Sequence, residues 1–118
     1  MNLSKKLQIP TGTSTFVVKA PKGFDLGSSV SKEAAGSAVL VFAINTRVLE
    51  AKAKPAIDAA RENRLSWIVY PKAGQLGTDL NRDRLNELMK PLGIEGVRMV
   101  SIDDVWSAMR FRPSRRGE

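Results

Sequence analysis

The chain has 118 residues, 42% of them hydrophobic and 26% charged, enough for one domain around one core and too few for two, and a composition that excludes disorder throughout. With no cysteine and no histidine, disulfide frameworks, thiolate chemistry, the usual general base and the commonest transition-metal ligand are excluded as well. The formal charge of +7 sits at the two ends: Lys5, Lys6, Lys19 and Lys22 against Asp25, and Arg110, Arg112, Arg115 and Arg116 against Glu118, with a nearly balanced body between them.

In chain order, the first predicted element is a short strand over 15–20, TFVVKA, closed by Pro21 and Gly23. FDLGSSVSKEAAGS follows as a connection with one helical turn through Lys32 to Ala35, capped by Ser29 or Ser31 and bracketed by Gly27 and Gly36. AVLVFAI, 38–44, is apolar without alternation, the mark of a strand covered on both faces at the centre of a sheet. Asn45 and Thr46 then cap an amphipathic helix in which Val48, Leu49, Ala53, Ala56, Ile57 and Ala60 recur at helical spacing. Pro55 either kinks this helix or opens a second one. LSWIVY, 65–70, is another buried strand, and a helix is expected from Thr78 or Asp79 through Met89, stopping before Pro91 and Gly93. VRMVSI, 97–102, and VWSAMRFR, 105–112, pair as an antiparallel edge hairpin around Asp103 and Asp104.

This order of strands and helices predicts a single three-layer α/β domain over 1–112, with a mixed, mostly parallel sheet of about five strands and a basic flexible tail over 113–118. Ligands of such sheets gather beyond the carboxyl ends of the strands. That rim would hold Asn45 and Thr46, the segment from Pro71 to Thr78, and Asp103 with Asp104.

In YPKAGQLGTDLNRDRL, 70–85, Lys72 emerges just after an apolar strand, and Gly74 and Gly77 loosen the loop that leads to a helix start. These are the parts of an anion site, although neither phosphate-loop pattern is present and Asp79 would repel a phosphate. Asp79 and Asp83 share a helix face and call for a nearby cation, with Arg82 and Arg84 between and after them. Asp103 and Asp104 suit either a divalent cation or a tight turn. Trp67 and Trp106 read as core aromatics, with Trp106 beside Ser107 as an alternative pocket wall. Arg110 and Arg112 face one side of a strand and fit a phosphate, or a carboxylate from Asp79, Asp83 or Asp103 in an internal salt-bridge cluster.

The blocks WIVYPKAG, TDLNRD and SIDDVWSAMRFR, preceded by KKLQIPTGTSTFVVKAPKGF, resemble a family of small, largely bacterial proteins known as a domain of unknown function. The resemblance runs from about Lys5 to Pro113. It implies a compact cytoplasmic α/β domain with a signature at Tyr70, Lys72, Asp79, Asn81, Arg82, Asp83, Asp103, Asp104, Trp106, Ser107 and Arg110, and no catalytic or binding assignment comes with it. The AGQLG loop after Lys72 departs from the serine- and lysine-rich version expected of the family, which argues against phosphate binding there.

Four functions compete on these grounds. The first is a noncatalytic domain binding a small anionic or nucleotide-like ligand at the rim through Lys72, Arg82 and Arg110, with Trp106 as a wall and no bound cofactor. The others are weak nucleic-acid binding by the basic ends, a hydrolase or transferase using Asp103 and Asp104 with a divalent cation, and a protein-interaction module using an exposed edge strand. The longest apolar run is too short to cross a bilayer and MNLSKKLQIP lacks a signal core, so a cytoplasmic location without a membrane partner is expected.

Overall fold

The structure is a computed structural model that describes residues 3–10, 13–21, 30–31 and 38–114. Thr15–Val18 (β1), Val30–Ser31 (β2), Ala38–Phe42 (β3), Ser66–Pro71 (β4), Ile94–Ser101 (β5) and Trp106–Pro113 (β6) form one sheet in the order β2-β1-β3-β4-β6-β5. The pairs β1/β2, β1/β3 and β3/β4 are parallel, and β6 lies antiparallel to both β4 and β5. The helices are Leu3–Lys6 (α1), Thr46–Lys52 (α2), Lys54–Arg61 (α3) and Arg82–Met89 (α4). Among the described residues no helix is long and apolar enough to cross a membrane.

The unbroken apolar runs have a direct physical reason. Every residue of β3 and β4 is buried, and because successive side chains point to opposite faces, both faces must be apolar and covered. On one face Val39, Val41, Ile68 and Tyr70, with Met109 and Phe111 of β6, meet Leu49, Ala53, Ala56, Ala59, Ala60, Leu85 and Met89 from the helices. On the other face Leu40, Phe42, Trp67, Val69 and Ala108 lie beneath Leu7 and Ile9 of the N-terminal segment. Each fully buried large side chain contributes about 1.5–3 kcal/mol. The indole of Trp67 donates to the Leu7 carbonyl at 2.9 Å, which pins that segment where its backbone would otherwise be unpaired.

Pro55 separates two helices instead of kinking one. It occupies the first turn of α3, where its missing N–H costs nothing, and Ala53 ends α2 and begins α3. The three buried alanines of α3 let its backbone approach the sheet, and Ser66 donates to the Ala56 carbonyl at 2.7 Å across that contact.

The helix predicted from Thr78 or Asp79 begins later. Residues Gln75–Gly77 form a 3-10 turn and α4 starts at Arg82. The cause is local: the Thr78 hydroxyl accepts from the Leu80 amide at 3.0 Å, so that side chain holds a turn, and Asn81 becomes the cap by accepting from the Arg84 amide at 2.9 Å. The last strand also runs past residue 112, because the Ser114 amide donates to the Gly93 carbonyl at 2.9 Å. The helical turn expected over 32–35 and the tail beyond Ser114 lie outside the described residues.

Strand β5 carries an irregularity between Gly96 and Arg98 that leaves Val97 unpaired in the ladder. Gly96 sits there for want of room, since a β-carbon would collide with the Met109 thioether and press on Asn86, whose Oδ1 accepts from the Gly96 amide at 3.0 Å. Gly96→Ala should therefore lower stability by about 1–3 kcal/mol. Urea denaturation measures this, and an unchanged midpoint would show that Met109 yields freely.

Candidate functional site

Register fixes what meets at the rim. Phe42 lies opposite Val69, Tyr70 opposite Ser107, Pro71 opposite Trp106, and Ser101 opposite Ser107. The carboxyl ends of β3, β4 and β5 therefore meet the start of β6 at one end of the sheet, and most polar residues gathered there hold the fold itself.

Asn45 caps α2 by accepting from the Val48 amide at 2.9 Å, and the Asp79 carboxylate accepts from the Thr46 amide at 2.8 Å. The loop before α4 thus caps the helix after β3. This bond to the Thr46 backbone is the main reason the Asp79 carboxyl lies below the ordinary carboxylate range, with Arg84 adding to the effect. Arg84 Nε also donates to the Thr46 hydroxyl at 3.4 Å.

Lys72 is fastened twice: its amide donates to the Val105 carbonyl at 2.7 Å, and its ammonium donates to the Ser101 hydroxyl at 2.8 Å. Asp103 accepts from the amides of both Val105 and Trp106 at 2.8 Å, the geometry of a side-chain-stabilised turn, while Asp104 is exposed. Among the described residues no group of three or more acidic side chains is placed to hold a metal ion. Ser107 is buried. Tyr70 is buried too and donates to the Met99 sulfur at 3.0 Å, with burial pushing its hydroxyl above the usual range and Arg82 opposing that.

At the start of α4, Asn81, Arg82 and Asp83 line a surface groove of about 540 Å³ with Arg84, Glu87 and Met99. Arg82 pairs with Asp83 at 3.3 Å, and both side chains are largely exposed. Its charges cancel and its walls are long solvated side chains, so this groove offers little to hold a ligand in one orientation.

Arg110 does not join the rim. Strand β6 runs away from it, so Arg110 lies four residues beyond Trp106, opposite Trp67, or roughly 13 Å at the rise of a strand. The sequence expectation that Lys72, Arg82 and Arg110 converge is not what this register produces.

What the rim does hold is a smaller cleft of about 250 Å³ lined by Lys19, Pro21, Phe42, Ile44, Val48 and Trp106. Phe42 and Trp106 meet edge to face, with ring centroids 5.5 Å apart and planes at 81°. The cleft lies beyond the ends of β1 and β3. That is where the strand order reverses: β2 lies to one side of β1, β3 to the other, and β4 continues on that second side. Chain segments leaving the two strands diverge at such a point and open a crevice. Lys19 stands at this divergence with φ at 61°, a left-handed conformation that costs a lysine energy. Of this set the sequence marks Trp106 as a pocket residue. Lys19 is the first charge after β1 as Lys72 is after β4, but the strand expected over 15–20 encloses it, and the neighbour relation of β1 and β3 is not written in either segment.

Comparison with protein-family models, with curated proteins and with solved structures finds no match to this chain.

The Asp79 contact has a definite pH signature. Its carboxyl is held below its unfolded value, so its contribution is complete above the ordinary carboxylate range and disappears as pH falls through the folded value. The stability difference between the wild type and Asp79→Asn should be largest near neutrality and shrink below about pH 4. Thermal midpoints across that range measure it, and a difference independent of pH would contradict the assignment.

Proposed function

We propose that this chain is a noncatalytic cytoplasmic domain that binds a small anionic or nucleotide-like ligand in the cleft bounded by Lys19, Phe42, Ile44 and Trp106. One observation carries the reading: the cleft opens at the carboxyl ends of β1 and β3, at the reversal of strand order, where sheets of this kind bind ligands. The lining chemistry supports binding over catalysis. Its described residues offer two aromatic rings, two aliphatic side chains, a proline and one ammonium, with no carboxylate or hydroxyl to move a proton. Aromatic walls suit a flat ring such as a nucleobase, and Lys19 suits its phosphate or carboxylate. In this reading Lys19 takes the role that the sequence suggested for Lys72, because the Lys72 ammonium is already committed to Ser101. The reading also takes the helices, the sheet and the N-terminal segment as three layers, with β5 and β6 as the C-terminal edge hairpin.

Isothermal calorimetry with adenosine and guanosine mono- and diphosphates tests it. One of these should bind, and Trp106→Ala should weaken that binding by about 10- to 100-fold, the range for loss of one base-stacking aromatic. Lys19→Gln should weaken binding of the phosphorylated compounds, and Lys72→Gln should not. Binding by none of the panel, or unchanged affinity in a folded Trp106→Ala protein, would overturn the proposal.

A further inference from the structure

Three arginines of β5 and β6 and the N-terminal segment meet on the sheet face away from α2, α3 and α4. Arg98 of β5 stands directly opposite Arg110 of β6, and Arg112, two residues along β6, shares their face. The N-terminal segment closes onto the same region: Gln8 accepts from Arg110 Nη1 at 3.5 Å, and its own amide donates to the Lys5 carbonyl at 3.0 Å.

This arrangement is costly without a counter-charge, because like charges directly opposite in an antiparallel pair destabilise it. Glu95, opposite Arg112, is the described carboxylate on this strip. The ion pairs found among the described residues are Lys54–Asp58, Arg64–Glu62 and Arg82–Asp83, none of them here. Asp79 and Asp103, which the sequence offered as partners, are engaged at the carboxyl rim. The Nε of Arg110 is buried without a hydrogen-bond partner among the described residues. Burial first, then Arg112 and Arg98, lower the affinity of this guanidinium for its proton.

We propose that Arg98, Arg110 and Arg112 form an oxyanion site for a tetrahedral phosphate group, separate from the Trp106 cleft. A phosphate would offset the positive charge that Glu95 leaves uncompensated on this strip, and the planar fork of a guanidinium matches its oxygens. The phosphate belongs either to a free phosphorylated compound or to the backbone of a single-stranded nucleic acid, and the chemistry of recognition is the same.

The test follows the arginine Nε–H signals of the full chain by NMR during titration with inorganic pyrophosphate and, separately, with a short oligothymidylate. The Arg110 signal should shift and saturate with at least one of them. Saturation by pyrophosphate assigns a free phosphorylated compound. Saturation by the oligonucleotide alone, with affinity falling steeply as salt rises, assigns the nucleic-acid backbone. Arg98→Gln and Arg112→Gln should each weaken binding roughly tenfold, the loss expected for one charge-assisted hydrogen bond. Arg98→Gln should keep or raise the thermal midpoint of the unliganded protein, since it relieves the repulsion across from Arg110, whereas Arg112→Gln also removes the charge opposite Glu95. Absence of a saturable Arg110 shift with either probe, or unchanged affinity in both variants, overturns the proposal.

Discussion

Every side chain of β3 and β4 is buried, so the sheet needs cover on both faces, and each cover has its own local cause. On one face, small residues do the work: Ala56, Ala59 and Ala60 let α3 lie close to the strands, and Pro55 stands in the first turn of α3, where α2 has ended. On the other, a short segment suffices because Leu7 and Ile9 are both buried against the sheet on either side of a turn at Gln8, and the Trp67 indole satisfies the carbonyl that their burial would strand. Loops from distant parts of the chain meet at the carboxyl rim.

Most polar residues of that rim are consumed in holding the loops. Asn45 and Asp79 satisfy amides at the start of α2, Asn81 one at the start of α4, and Asp103 two at the turn into β6. Each of these side chains would look like a ligand-binding group if only its type and position were considered. Once their hydrogen bonds are accounted for, the remaining chemistry separates into two places. One is an apolar cleft at the reversal of strand order with one ammonium among its described lining residues; the other is a strip of three guanidiniums on which Glu95 is the described carboxylate.

The elements with continuous or periodic apolar patterns were legible in the sequence. AVLVFAI and LSWIVY have the composition of doubly covered strands, and the strands found there, Ala38–Phe42 and Ser66–Pro71, are buried throughout while Ile44 is exposed; the alanine-rich stretch after Asn45 is helical on both sides of Pro55. Legibility failed where competing local hydrogen bonds decide the outcome. Thr78 and Asp79 are both cap-type residues, and nothing in the sequence says that one holds a turn while the other caps a different helix, leaving Asn81 to start α4. It failed again for relations between strands. That Lys19 and Trp106 border one cleft follows from β1 lying beside β3 and from β6 lying next to β4. Arg110 was expected near Lys72 because both stand close to strand ends, and the antiparallel direction of β6 sends it the other way.

The assignment of the cleft at the strand reversal as the ligand site is tested most directly by mapping backbone amide shifts across the protein as a binding nucleotide is added. The account predicts that the largest changes fall at Lys19, at 43–45 and at Trp106, with little change along 81–87. Shifts concentrated at the start of α4, with the amides around Lys19 and Trp106 unmoved, would contradict it.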